Sequence, residues 1–242
     1  MTILYDGLDT EALRRRTGAT DVLLLESVGS VLDAAHQRAA AGAASGLLVV
    51  ADTQTAGRGR SGRPWHSPPG AGVWLAALLR PRARPFTGAL AVRVGLAVAD
   101  AIAEVAPGSS PWLKWPNDVL VAGRKAAGIL CEARWTGASQ GWVAVGVGVN
   151  VAEPVAEEVR GTAIALAEVA QDVTRLALLE ALAPRIWALA ARPSALDDAE
   201  RGEVRSRLWI EPGAEAPVGV DGDGALLMRG PDGGLVRRVS PD

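Results

Sequence analysis

The chain has 242 residues, room for one to two domains. Its residues are 49% hydrophobic and 21% charged, which supplies a sizeable core and excludes wholesale disorder. A net charge of −2 argues against a nucleic-acid binder held by excess positive charge. Cys131, the single cysteine, excludes an internal disulfide and cannot build a zinc site alone. His36 and His66 are too far apart in sequence to read as a metal pair. No apolar run approaches the ~20 residues that span a bilayer, and Met1 to Arg16 carries no signal-peptide pattern. The expectation is a soluble, cytoplasmic α/β-type protein.

Asp21 to Ser27 reads as a buried strand. Ser30, with Asp33 three residues on, reads as the cap of a helix that reaches about Ala41 and stops at Gly42. A second strand covers Gly46 to Asp52. Gln54 to Gly72 holds five Gly, three Pro and three Arg without apolar periodicity, so it reads as a long loop. Loops of that length inside a domain are usually functional or mobile. Val73 to Leu79 is a third strand, and Thr87 to Val105 an apolar helix closed by Pro107-Gly108. Short strands follow at Trp112 to Trp115 and Val119 to Ala122, around a turn at Pro116-Asn117. Ala126 to Trp135 and Trp142 to Val151 read as a hairpin. Residues 171–191 form the longest helical pattern, with a kink or restart expected at Pro184. From about Arg201 the pattern turns to short strands between Gly-rich turns, which places a catalytic domain at 1–202 and a small β domain at 203–242. No helix-turn-helix pattern precedes the first strand.

The residue counts single out one region. The 25 basic residues include only two lysines, Lys114 and Lys125, and the only asparagines are Asn117 and Asn150. Lysine is a compact ammonium and arginine a wide fork, so the two are not interchangeable. In Lys114-Trp-Pro-Asn-Asp118 an ammonium, an amide and a carboxylate meet at a tight turn. Lys114 suits stabilisation of a developing oxyanion, and Asp118 suits Mg²⁺ beside phosphate, or simply closes the turn. Lys125 and Gly128 follow on the next strand, where Lys125 either reaches the same ligand or is solvated. Gly146-Val-Gly-Val-Asn150 puts glycine on one face of a strand and valine on the other. Such glycines mark close approach of a ligand or backbone, or a bulge. Asn150 offers a donor–acceptor pair suited to a base edge.

Gly57-Arg-Gly-Arg-Ser-Gly-Arg-Pro-Trp65 follows a strand directly. Its glycines allow positive φ and anion-binding backbone nests. Arg58, Arg60 and Arg63 add fork-shaped donors, and Trp65 a flat face for a planar ligand. Phosphate or nucleotide binding is the reading favoured over a solvated loop or an RNA-touching segment. The spacing fits neither a Walker loop nor the dinucleotide fingerprint.

These four segments, in this order and spacing, resemble the biotin protein ligases over roughly residues 20–200, with a weaker likeness in the tail. The resemblance implies an α+β fold: a mixed β-sheet flanked by helices, like class II aminoacyl-tRNA synthetases, with a small SH3-like C-terminal domain. It implies activation of biotin by MgATP to biotinyl-5′-AMP, then transfer to a lysine of a biotin carboxyl carrier protein. Lys114, Arg60 and Lys125 are then the expected catalytic residues. Ser30, Gln54, Arg58, Gly59, Arg60, Lys114 and Gly128 are expected at biotin. Arg58, Arg63, Trp65, Asn117 and Asn150 are expected at the nucleotide, and Asp118 at Mg²⁺. No side-chain nucleophile is required, and Cys131 is expected to be a core thiol. Where the family often carries Ser-Thr-Asn, this chain has Ser30-Val31-Leu32, which removes two polar groups from the expected biotin pocket. No DNA-binding module and no membrane contact are expected, and the chain is read as a monomer or homodimer. The alternatives are a lipoate or octanoate ligase or transferase of the same fold, a non-catalytic biotin or nucleotide sensor, and a nucleic-acid-binding regulator.

Overall fold

The computed structural model describes residues 3–81, 85–152 and 155–240. The helices are α1 (Thr10–Thr17), α2 (Val31–Ala40), α3 (Ala89–Val105), α4 (Arg175–Leu189) and α5 (Asp198–Arg207). The first seven strands are β1 (Asp21–Val28), β2 (Leu47–Gln54), β3 (Gly72–Leu79), β4 (Trp112–Lys114), β5 (Asp118–Val121), β6 (Arg124–Thr136) and β7 (Ser139–Asn150). They form one sheet in the order β1-β2-β3-β7-β6-β5-β4, parallel only between β1 and β2. A separate antiparallel sheet holds β8 (Gly219–Val220), β9 (Leu226–Arg229) and β10 (Leu235–Arg238).

Side-chain alternation along the strands sorts the core into two layers. Val73, Leu75, Ala77 and Leu79 of β3 face α3 and α4, together with Val145, Val147 and Val149 of β7. Ala76 and Leu78 of β3 join Leu47, Val49 and Ala51 of β2 under α2. Both faces of β3 are therefore covered, which explains its unbroken apolar run. Among the described residues no helix is long and apolar enough to cross a membrane.

Two helices were not expected. Only Leu13 and Thr17 of α1 and only Val204 of α5 are buried, too few for an apolar period to show. Their ends were nevertheless signalled. Asp9 caps α1 and Gly18 closes it at positive φ, and Asp197 with Glu200 forms a capping box on α5. Helix α5 runs continuously across residues 202–203, where the division into two domains was expected, and the small sheet starts only at Gly219. Helix α4 continues through Pro184 as one helix. Ser30 caps α2 as expected, its hydroxyl accepting from the Leu32 N–H, but Asp33 takes no part in the cap because its carboxylate turns to Arg58.

Arg93 joins α3 to the segment that enters α5. It is buried, pairs with Glu200 at 2.7 Å, and donates to the carbonyls of Pro193 and Ala195. Arg93→Ala leaves the largely buried Glu200 carboxylate without its ion-pair partner and with only the Asp197 N–H among its described donors. The expected loss is ~3–5 kcal/mol of unfolding free energy, read from urea midpoints. A loss under ~1 kcal/mol would show that water replaces the guanidinium at little cost.

Candidate functional site

The site is built on the face of β6 and β7 that looks away from α3. In register across the two strands, Gly128 pairs Gly148, Leu130 pairs Gly146, and Glu132 pairs Ala144. The valines of β7 point into the core, so Gly146, Gly148 and Asn150 fall on the open face. The indole of Trp65 lies on the two facing glycines. A Cβ on Gly148 would come within 2.4 Å of Trp65 Nε1, and one on Gly128 within 2.8 Å of Cζ3. One step along, the Leu32 side chain fills the space over Gly146, 3.0 Å from where a Cβ would stand. Trp65 also meets Trp74 edge-on, with ring centroids 6.5 Å apart. The Lys125 ammonium sits 5.1 Å from the Trp65 centroid and 2.8 Å from the Asp118 carboxylate. Trp65 Nε1 is buried without an acceptor.

The Arg–Gly segment is not an irregular loop. Trp65 N–H donates to the Gly57 carbonyl and Gly59 N–H to that of Arg63, which folds it into a hairpin-like excursion. Its tip is a 3-10 turn, Arg60–Gly62, with Ser61 at φ 55° and Gly62 at φ 71°. Arg60 at the tip donates to Asn117 Oδ1 at 3.2 Å. Asn117 in turn donates to Asp118 and to the Ile129 carbonyl. Arg63 and Gly59 line the rim. Arg58 behaves differently. Its guanidinium grips Glu132 with two bonds of 3.1 Å and reaches Asp33 at 2.9 Å. Burial would raise the Glu132 carboxyl, but the bonds from Arg58 and His36 outweigh it and hold the group below its ordinary range.

At the α2 end the polar groups are tied together. Gln54 accepts from the Val31 N–H at 3.0 Å and donates to the Ser67 hydroxyl at 2.8 Å. Ser67, almost fully buried, donates onward to the Trp65 carbonyl. Gly57 leaves room for this knot, since a Cβ there would stand 2.5 Å from that carbonyl. Ser30 sits beside it, buried at the start of α2.

On the far wall the Lys114 ammonium pairs with Glu211, which comes from the segment after α5. Both groups are about half exposed, so the pair is weak and easily exchanged for a ligand oxygen. Asn150 spends its amide nitrogen on the carbonyls of Lys125 and Ile164, and its amide oxygen has no donor among the described residues. All thirteen residues singled out from the sequence line one cleft of about 1200 Å³. Cys131 lies elsewhere, packed against the core, with burial pushing its thiol up to about 12.

The model of the biotin/lipoate A/B protein ligase family matches residues 29–150, half of the chain. The chain belongs to the biotin/lipoate A/B protein ligase family. It is 40% identical over 200 residues to the biotin--[acetyl-CoA-carboxylase] ligase of Mycobacterium tuberculosis, covering 77% of this chain and 73% of that one. Against the enzyme of the same name from Paracoccus denitrificans it is 35% identical over 229 residues, covering 84% and 90%. The bifunctional ligase/repressor BirA of Bacillus subtilis is 42% identical over 147 residues, 60% of this chain and 43% of that one. The chain thus spans less than half of that longer relative. The biotin protein ligase from Aquifex aeolicus in complex with biotin and ATP superposes with a TM-score of 0.73 at 26% identity, covering 91% and 96%. Membership in the family bears out the expected mixed sheet flanked by helices.

Two residues that line the cleft, Ser67 and Glu211, escaped the sequence reading, as did Glu132 and His36 behind Arg58. None has a motif of its own, and each is held by a partner distant in sequence. For Mg²⁺ the donor set is sparse. Among the described residues no three His, Cys, Asp or Glu side chains gather to hold a metal. Of the three described carboxylates that line the cleft, Asp118, Glu158 and Glu211, Asp118 lies beside Lys125 and Asn117 and is the one that would meet a Mg²⁺ brought in with a triphosphate.

The glycine floor yields a test. Gly148→Ala drives a methyl into the Trp65 ring. Amide exchange at Gly59 and Trp65, whose N–H groups close the excursion, is expected to speed up by roughly tenfold or more. Unchanged protection would mean that the seat of Trp65 does not hold this segment.

Proposed function

We propose that the chain activates biotin with MgATP and transfers it to a lysine of a biotin carboxyl carrier protein. The observation that carries this reading is the pairing of two unlike compartments in one cleft. One is a slot at the start of α2, walled by Ser30, Gln54, Leu32 and Leu130; the other is an aromatic seat on a glycine floor. An acyl group suits the first and a purine the second. The names of the Mycobacterium and Paracoccus relatives, both biotin--[acetyl-CoA-carboxylase] ligases, support the same conclusion.

The chemistry follows from charge. A carboxylate and a triphosphate repel each other, so cations must bring them together. Among the described residues the Arg60 side chain is tied to a neutral amide and Lys114 to an exposed carboxylate, so both are free to turn to anions. A biotin carboxylate oxygen attacks the α-phosphorus, and pyrophosphate leaves with the bond electrons. Asp118 is the residue that would hold Mg²⁺, which would supply charge neutralisation to the phosphates. Asn150 Oδ1 accepts from the exocyclic amine of adenine, and Lys125 stays over Trp65, paired with Asp118. The acceptor amine then attacks the biotinyl carbonyl carbon and AMP leaves. The excursion tip, closing over the anhydride, keeps water from that carbonyl.

A second reading has one observation behind it. Val31 and Leu32 make the slot aliphatic, and Leu32 rests on Gly146, which also suits a lipoyl or octanoyl chain. Pyrophosphate release from MgATP by the purified protein, with biotin, octanoate and lipoate in parallel, separates the two. Release with biotin is expected; release only with the other acids would overturn the proposal.

Two substitutions test the roles. Lys114→Ala should slow adenylate formation by about 100-fold, ~2.7 kcal/mol of transition-state stabilisation, with biotin affinity within threefold. Equal loss of both would remove Lys114 from the chemical step. Arg60→Ala should release biotinyl-AMP early, seen as biotin-dependent AMP formation without acceptor. Retention as tight as in the unaltered protein would rule out a shielding role.

A further inference from the structure

The open face of β6 presents Gly128, Leu130 and Glu132 at alternate positions, ~6.6 Å apart per step. The Arg–Gly excursion touches this strip twice. Trp65 sits at one end, on Gly128 and Gly148. Arg58 sits at the other, its fork on both oxygens of Glu132. Between the two contacts lies Leu130, opposite the glycine that carries Leu32, which is the wall of the acyl slot. The excursion therefore spans the slot as a roof fixed at both ends, an aromatic end and an ionic end.

The ionic end is built to a single geometry. Glu132 is about one-fifth exposed and Arg58 about one-quarter, and the pair is bidentate. His36 Nε2 lies 2.8 Å from Glu132 Oε2, and Trp142 Nε1 donates to His36 Nδ1 at 2.9 Å. The indole N–H thereby fixes the tautomer, and Nε2 carries the proton that binds Glu132. Arg134 stands off at 3.7 Å, and Asp33 completes the hold on Arg58 from α2. Nothing in the expected chemistry uses His36, Glu132 or Trp142.

We propose that Glu132 is a positioning residue: acting through Arg58, it sets the height of the Arg–Gly roof over the acyl slot. On this account the Arg58 side chain is a strap and not a ligand-binding group. The proposal rests on the ligase reading for its kinetic consequence but not for its structural one, and the test separates them.

Glu132→Gln, Arg58→Lys and the double variant are compared with the unaltered protein in two assays. The first is limited trypsin cleavage after Arg60, scored by mass, which needs no activity. Each single variant is expected to raise cleavage about tenfold, and the double variant to go no further, since both remove the same contact. The second assay is biotin-dependent pyrophosphate release. The KM for biotin should rise about tenfold, with kcat within threefold at saturating biotin. Unchanged cleavage in both single variants, or effects that multiply in the double, would overturn the strap. A fall in kcat at unchanged KM would overturn the slot-roof role. If the unaltered protein releases no pyrophosphate with biotin, the ligase reading falls, while the cleavage result still decides whether Glu132 holds the roof.

Discussion

The arrangement depends on one register: glycine opposite glycine at Gly128 and Gly148, on the face of the sheet that carries the cleft. A two-residue slip that set Asn150 opposite Gly128 would put a side chain beneath Trp65. A slip by one residue would be worse, since it would send Val147 and Val149 out of the core and the glycines into it. The core side and the ligand side of the hairpin are therefore a single decision. The alternation that buries Val145, Val147 and Val149 against α3 and α4 is the same alternation that clears a flat floor on the other side. Packing of the valines on the core side thus maintains the shape of the glycine floor on the other.

Above that floor, burial and geometry sort the cations. Arg58 is committed, since a bidentate and partly buried pair is costly to open. Lys125 is shared between Asp118 and the face of Trp65. Arg60 and Lys114 have the lightest ties, one to a neutral amide and one to an exposed carboxylate whose pairing is worth ~0–1 kcal/mol. Four cations of similar charge thus differ in how readily they turn to an incoming anion, and the two least committed are those that the proposed chemistry asks to move.

How much of this was legible depends on where the information is stored. Strand and helix positions along β1 to β7 and in α2, α3 and α4 were readable because buried faces impose a period. Helices α1 and α5 were not, because each buries only one or two residues, although Asp9, Gly18 and the Asp197–Glu200 box mark their ends. The cleft residues were visible as motifs because glycine runs, isolated lysines and paired asparagines stand out against an Arg- and Ala-rich chain. Arg58 shows the limit. Its motif identified the segment but not the direction of the side chain, which is set by Asp33 and Glu132, 25 and 74 positions away. The hold of Ser67 on Gln54 and that of His36 on Glu132 are likewise products of tertiary proximity.

The segment after α5 has a practical meaning for anyone who shortens this protein. Trp209 N–H bonds to the Leu113 carbonyl, so the outer edge of β4 is already occupied by chain from beyond the helix. Trp115, the neighbour of Lys114, donates its indole N–H to the carbonyl of Gly224 at 2.8 Å. Glu211 answers Lys114 itself. A fragment ended at residue 202 would keep every motif of the cleft yet cut α5 in mid-helix. It would also leave β4 an open edge, a template for pairing with other chains, and so exchange a compact sequence for an adhesive one.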